Sequence, residues 1–299
     1  MPKGIILIMN NKLIVNSIQR SCFHDGPGIR TTVFLHSCSL KCPWCSNPEC
    51  SMTNYRYVIN NRCRKSNGKC IYNIDCPSTK NKKSNDDLKS FIDKCPVLAI
   101  ENNFRPYSID ELKETLVQDK FLFDTEGGVT FSGGEPLLQS YNLGELIKEL
   151  KKEQINIAVE TCLFVKHENL LSVVDDIDLF IVDLKILDAK ECSKILGGDL
   201  KEFLNNIEIL FAKKKDIVFR VPLIKPYITN KNNMSLIYKF LTRYKPLKVE
   251  LLKGHNLAKE KYQKLGIEYK LVSTINETEI NDILKEMTNI GINATIIDF

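Results

Sequence analysis

Three cysteines, Cys38, Cys42 and Cys45, stand within eight residues of the stretch Ser37–Glu49, at C-x3-C-x2-C spacing. Such a loop can wrap three thiolates around one corner of a cubane, because thiolate is the ligand that iron–sulfur clusters take. Three protein ligands for a four-iron cluster leave one iron open, and an open metal position is where substrate can bind. Closed by Cys50 or His36, the same triplet would make a zinc knuckle, since zinc also accepts Cys and His. The triplet by itself leaves both readings open, although structural zinc sites usually come as paired C-x2-C units.

A second set follows. From Cys50 to about Asn103 the composition shifts toward Asn, Lys and Ser, and Cys63, Cys70, Cys76 and Cys95 appear. Proline follows Cys76 and Cys95, and Cys95–Ile100 resembles the end of a bacterial ferredoxin half-motif, C-x2-C-x2-C-x3-C-P. The gaps here are wider and the second set has shrunk to Cys95, so four cysteines can hold one auxiliary cluster. By order the expected ligands are Cys63, Cys70, Cys76 and Cys95, with Cys50 in reserve; zinc on the same four is the alternative. The Lys-rich piece Lys80–Lys89 reads as a solvated loop.

These residues need a scaffold. His24–Thr32 holds two glycines flanking a proline, a rigid turn that brings backbone close to something. Thr31–His36 reads as a buried strand that delivers the chain into the cysteine loop. Beyond the insert, Ser108–Glu111 reads as a capping box opening a helix to about Gln118. Strands are expected at Gly128–Ser132, Asn156–Glu160, Leu179–Leu184, Asp216–Val221, Lys248–Leu252 and Ala294–Ile297, with helices between. That alternation predicts an α/β fold with a parallel sheet and right-handed crossovers, a partial (β/α)6 TIM-like barrel. Residues 1–50 and 104–299 would form the barrel, open on one side for a large partner. Residues 51–103 would form a small ferredoxin-like, cysteine-rich insert. The cysteine loop would then sit at the C-terminal strand ends, where such barrels keep their chemistry.

The bulk properties narrow the class. No run of 18 apolar residues occurs among the 299, so no membrane span is expected. The apolar patch Ile5–Met9 is too short for a secretory signal and no small-residue cleavage site follows it, which predicts a cytoplasmic chain. Eleven cysteines in such a chain argue for metal or redox work. The net charge of +5 is modest and its lysines are spread, so a solvated surface is favoured over nucleic-acid binding.

The second anchor is Gly127–Leu138, G-G-V-T-F-S-G-G-E-P-L-L, where a strand runs into two glycines and an acid. Bare backbone at that barrel end can approach a ligand and accept hydrogen bonds from an ammonium group.

Taken with the triplet and Trp44, these strings resemble the glycyl-radical-enzyme activases of the radical S-adenosylmethionine (SAM) superfamily, such as the pyruvate formate-lyase activating enzyme. Shared also are Asp25–Thr31, Glu160-Thr161-Cys162, Asp183-Leu184-Lys185 and His255-Asn256-Leu257. The likeness runs to about Tyr262, and the insert resembles that of larger activases serving decarboxylases, dehydratases, lyases and arylsuccinate synthases.

The resemblance implies roles. Cys38, Cys42 and Cys45 would hold a catalytic [4Fe-4S] cluster whose open iron is chelated by SAM. Trp44 and Ser46 would lie beside SAM, and Gly133, Gly134 and Glu135 would receive its ammonium group. Lys185 and Arg220 suit its carboxylate, His255 its nucleoside, and Leu184 belongs to the same pocket. Glu160, Thr161 and Asp183 match a monovalent-cation site, with Glu160 where an aspartate is often found. The Asp25, Gly26, Pro27 and Gly28 turn would grip the partner's glycine loop. A flavodoxin or ferredoxin would supply electrons, and an auxiliary [4Fe-4S] cluster would relay them or serve structure alone.

The implied activity is reductive cleavage of SAM followed by hydrogen abstraction from a glycine Cα of a glycyl radical enzyme. The rival readings are a radical SAM enzyme acting on another peptide or small molecule, and a non-enzymatic electron carrier. Departures from the pattern include Ser37 in place of the usual glycine and the absence of a Pro-Gly turn in Arg220–Pro226.

Overall fold

Apolar, β-branched runs flanked by amphipathic helices make a sheet buried on both faces. In the computed structural model, which describes residues 11–51, 56–79, 85–270 and 273–297, nine strands follow one path. They are β1 (Lys12–Cys22), β2 (Arg30–Leu35), β3 (Arg105–Ser108), β4 (Gly128–Gly133), β5 (Asn156–Thr161), β6 (Leu179–Asp183), β7 (Asp216–Lys225), β8 (Lys248–Lys253) and β9 (Ala294–Ile297). The spatial order is β9-β8-β7-β6-β5-β4-β2-β1-β3. From β2 to β9 all pairings are parallel, while β1 runs antiparallel to β2 and β3. Each of the six connections between successive parallel strands carries a helix. This is the expected partial barrel, with two unpaired sheet ends among the described residues.

The helices pack by their apolar stripes. Ser140–Lys152 buries Leu143, Leu146, Ile147 and Leu150, spaced as one helical face requires. The Ile109–Gln118 helix is capped by Ser108, whose hydroxyl accepts from the Glu111 amide at 3.1 Å. The expected reciprocal half of that capping box is replaced: the Glu111 carboxylate turns outward to Arg105. β7 runs past Val221 to Lys225 because Ser273–Thr274 pairs antiparallel with Ile224 and Lys225. The Arg220–Pro226 segment is thus extended strand.

The insert is a ribbon, Tyr57–Ile59 against Ile100–Asn102, and a hairpin, Lys65–Ser66 with Lys69–Cys70. Tyr57, Leu88 and Ile100 form a small core of their own. Half of Lys80–Lys89 departs from the loop expectation: Asn85–Lys89 is a helix that buries Leu88. The other half, like Ile5–Met9, lies outside the described residues. No helix among the described residues is long and apolar enough to cross a membrane.

Candidate active site

The C-terminal strand ends surround a cavity of about 600 Å³. Cys38, Cys42 and Cys45 line it together with Phe23, His24 and Asp25, from the turn between β1 and β2. The cysteine loop is held by backbone. Ser37 donates to the Cys50 carbonyl at 2.7 Å, Lys41 to Leu196 at 2.9 Å, and Glu135 to Ser37 at 2.7 Å. Tyr262 Oη donates to the Cys45 carbonyl at 3.2 Å, and Lys261 reaches Asn47 at 2.6 Å and Glu49 at 2.8 Å.

Gly134 earns its identity here, because a Cβ would stand 2.0 Å from the Ser37 oxygen. Its partner Ser37 has φ +82°, a left-handed conformation that explains the glycine expected at that position. Gly133 and Gly134 do line the cavity, but the missing side chain of Gly133 makes room for the backbone of Leu35 in β2 and that of Gly134 for the cysteine loop at Ser37.

Neither of the residues that could have closed a zinc knuckle joins the cavity wall. Cys50 is fully buried, and His36 packs on Phe104 at 4.1 Å with Nδ1 on Asn16 Oδ1 at 2.9 Å. Among the described residues no three His, Cys, Asp or Glu side chains stand together at metal-ligand spacing. The donor chemistry nonetheless suits a thiolate-held cluster, because all three cysteines line the cavity; burial raises the Cys42 thiol pKa, and the Lys185 cation offsets only part of that rise. Burial likewise pushes the Cys45 thiol up to about 11, so a bound metal would have to displace its proton.

The charges are tightly committed. Arg220, 3% exposed, donates to Glu160 at 2.6 Å, to Glu250 at 2.8 Å and to the His24 carbonyl. Lys185 pairs with Asp183 at 2.5 Å. Burial raises Glu160's pKa, but Arg220 and a 2.5 Å hydrogen bond from Ser132 outweigh it, so the net direction is down. Asp25 shifts up, through burial first and the Glu160 charge second, despite accepting from Thr32 Oγ1 at 2.7 Å.

The turn is rigid. Buried Arg30 donates to the carbonyls of Pro27 and Glu126 at 3.1 Å, and Thr130 Oγ1 donates to Asp25 O at 2.6 Å. At Gly28, φ +69°, a Cβ would meet Asp124 Oδ1 at 2.2 Å.

Other expected residues divide. Trp44, Ser46, Thr161, Asp183, Lys185, Arg220 and His255 line the cavity. Trp44 also packs on Tyr227, ring centroids 4.9 Å apart. Burial and Lys261 push the His255 pKa down. Glu135 lies behind the wall, fully buried, accepting from Thr161 Oγ1 and Cys162 N at 2.8 Å and from Leu137 N at 3.0 Å. Leu184 is core. In the insert, Cys63 and Cys76 converge on Ser78 Oγ at 3.7 and 3.1 Å, and Cys95 Sγ accepts from Ala99 N at 3.3 Å. Cys70 closes the hairpin.

Sequence reasoning missed Glu250, Phe23 and Lys261, while Leu257 stood in a recognised string without a role. The one available signal was Glu250, a charge inside the otherwise apolar centre of β8.

An open parallel barrel with a three-thiol loop at its C-terminal edge is the architecture of the radical SAM class. The fold matches a radical SAM methyltransferase from Sphaerobacter thermophilus at TM-score 0.53 and 13% identity, over 90% of this chain and 66% of that one. Residues 24–196 match the family described as a 4Fe-4S single cluster domain. The 4-hydroxyphenylacetate decarboxylase activating enzyme of Clostridioides difficile (strain 630) is 32% identical over 274 residues, 86% of each chain. The trans-4-hydroxy-L-proline dehydratase activating enzyme of Clostridioides difficile is 34% identical over 274 residues, 87% of this chain and 89% of the other. The chain belongs to the glycyl radical enzyme activating enzymes. It is a radical SAM enzyme that works with a 4Fe-4S cluster and acts on a glycyl radical enzyme.

Proposed function

We propose that this cavity holds SAM between the Cys38, Cys42 and Cys45 thiolates and the Asp25–Gly28 turn, and that the turn presents a glycine Cα from a flexible loop of the partner. The observation that carries this reading is one cavity of about 600 Å³, walled by the three thiols and by Phe23, His24 and Asp25. That volume lies within the usual range for a small-molecule site. When bound at the cluster and reduced by one electron, SAM supplies a 5′-deoxyadenosyl radical.

The chain's own residues do the positioning. Trp44, Ser46 and His255 flank the nucleoside, and the Gly133–Gly134 backbone faces the ammonium. Glu135 acts from behind, aligning Thr161 and Cys162 through its hydrogen bonds. Lys185 and Arg220 are the carboxylate's cations, each already balanced by an acid. A monovalent cation at Glu160, Thr161 and Asp183 would compete with those same two cations. Phe23 and Leu257, 65% and 67% exposed, stand on the cavity rim and would cover an incoming loop from water. Glycine is the residue that fits, since it lacks a side chain to shield its Cα.

Residues 51–103 would act as a separate insert holding an auxiliary [4Fe-4S] cluster on Cys63, Cys70, Cys76 and Cys95. An external flavodoxin or ferredoxin would deliver the electron. The two relatives named above serve a decarboxylase and a dehydratase, and we propose a partner of that glycyl-radical kind.

The test is anaerobic turnover of the reconstituted protein with SAM, dithionite and a candidate partner labelled with deuterium at the glycine Cα. Deuterium in 5′-deoxyadenosine and a carbon-centred radical on the partner are expected. Label arriving from a free metabolite or a short peptide instead would overturn the reading.

A further inference from the structure

The distribution of charge is uneven. Residues 51–103 hold ten Lys and Arg against five Asp and Glu, so this insert carries the chain's whole formal excess of +5 and the rest is balanced. Among residues 56–79 the contrast is sharper, with Arg56, Arg62, Arg64, Lys65 and Lys69 against Asp75. All of these are exposed. Arg62 immediately precedes Cys63, and Arg64, Lys65 and Lys69 lie between Cys63 and Cys70 on or beside the hairpin. Beside it stand three exposed apolar side chains, Ile71 at 47%, Tyr72 at 43% and Leu98 at 57%. Leu98 is brought there by Asn60 Nδ2, which donates to its carbonyl at 3.2 Å, while Cys63 N donates to Asn60 O at 3.2 Å.

We propose that this basic, apolar-tipped hairpin is the docking face for an acidic one-electron carrier protein. The inference rests on the reading that the insert cysteines hold an auxiliary cluster. A small basic patch with a few apolar contacts suits a transient electron-transfer encounter, which needs speed and orientation more than area. Opposite charge on the carrier would steer it. Docking at the hairpin places it against Cys63 and Cys70, whereas the glycyl radical partner must reach the Phe23–Gly28 rim of the cavity.

The experiment uses holoenzyme and a reduced acidic flavodoxin as the probe, with Arg62→Glu/Lys69→Glu as the variant. Lys65 is left in place because its ammonium donates to the Ser78 carbonyl at 2.5 Å. Flavodoxin affinity by titration should fall about tenfold or more at low salt, from the loss of several exposed charge pairs. Its dependence on ionic strength should flatten. Reduction of the iron–sulfur absorbance by dithionite should not change. Unchanged flavodoxin affinity at full iron content would overturn the proposal. So would a rise in the half-saturating concentration of the glycyl radical enzyme with dithionite as reductant, which would give the face to that partner. Were dithionite reduction also lost, Arg62→Gln/Lys69→Gln, read by affinity alone, would decide. Iron content separates the two readings: zinc retained by the insert refutes the auxiliary cluster, whatever the affinity shows.

Discussion

Removing the charge of Arg220 while keeping its bulk is the sharpest perturbation of the site. Arg220→Met takes from Glu160 its ion-pair partner, leaves Glu250 with Lys248 at 3.1 Å, and removes a donor from the His24 carbonyl; the two acid side chains are 21% and 12% exposed. Breaking a buried ion pair from one side costs about 3–5 kcal/mol, because the remaining charge is left without compensation. Urea unfolding of the cluster-free protein should show a loss of that size. Adding Glu160→Gln and Glu250→Gln to Arg220→Met removes the stranded charges and should recover more than half of it. A loss below about 1 kcal/mol, the scale of an exposed pair, would refute the reasoning. So would a triple variant no more stable than Arg220→Met, since stranded charge could then not be the cause. The same substitution should raise the half-saturating concentration of the glycyl radical partner, because Arg220 ties β7 to the turn that the partner would meet.

Lys185→Ala should weaken SAM binding by roughly one to two decades in calorimetric titration, the worth of a charge-assisted hydrogen bond, without altering the cluster's absorption spectrum. Ser37→Gly should leave stability unchanged or raise it by up to about 1 kcal/mol in urea unfolding, by relieving a positive φ, whereas Ser37→Val should lower it. Asp25 has a raised pKa, so its folded state favours the protonated form: the stability it contributes is full below the ordinary carboxylate range and is lost as pH rises through the folded value. Asp25→Asn should therefore stabilise the cluster-free protein at neutral pH, with the gain vanishing in acid, measured as thermal midpoints across pH. Glu160 has the opposite sign. Its contribution is present above the ordinary range and is lost as pH falls through its lowered value, so Glu160→Gln should flatten the acid limb of the same curve.

The parallel strands were legible because continuous apolar runs punctuated by amphipathic helices have one common solution. β1 was not, since its outer half carries Gln19, Ser21 and Cys22 toward the cavity and breaks the apolar pattern. β3 was missed because Pro106 reads as a strand breaker, yet an edge position tolerates it. At the site, the thiol loop and the Asp25–Gly28 turn were visible as local strings. The pairing of Arg220 with Glu250 was not, because strand register alone puts those two residues side by side. The string Gly-Gly-Glu was visible too, but the contacts its residues make within the protein were not. Gly133 leaves room for Leu35 of β2 and Gly134 for Ser37 of the cysteine loop, while Glu135 faces inward to Thr161 and Cys162.

The ion pairs have a consequence for which ligand the cavity favours. Four acids, Asp25, Glu160, Asp183 and Glu250, are set around two buried cations, Lys185 and Arg220. Lys248 also pairs with Glu250 at 3.1 Å, and Lys253 and Lys261 line the cavity, so the acids do not exceed the bases; Lys185 and Arg220 are the cations whose charge an adjacent acid offsets. Glu160 and Asp183, which line the cavity, would attract a ligand's ammonium or sulfonium group locally, an attraction that low local polarity strengthens. The ligand's single carboxylate needs a cation that is oriented but not free to repel the rest of the molecule. In the proposed SAM site Lys185 and Arg220 would meet that need, because Asp183 and Glu160 fix their directions and screen their charge. The acids that hold these cations would then serve recognition twice, by aiming the two groups proposed for the carboxylate and by attracting the positive groups of the ligand.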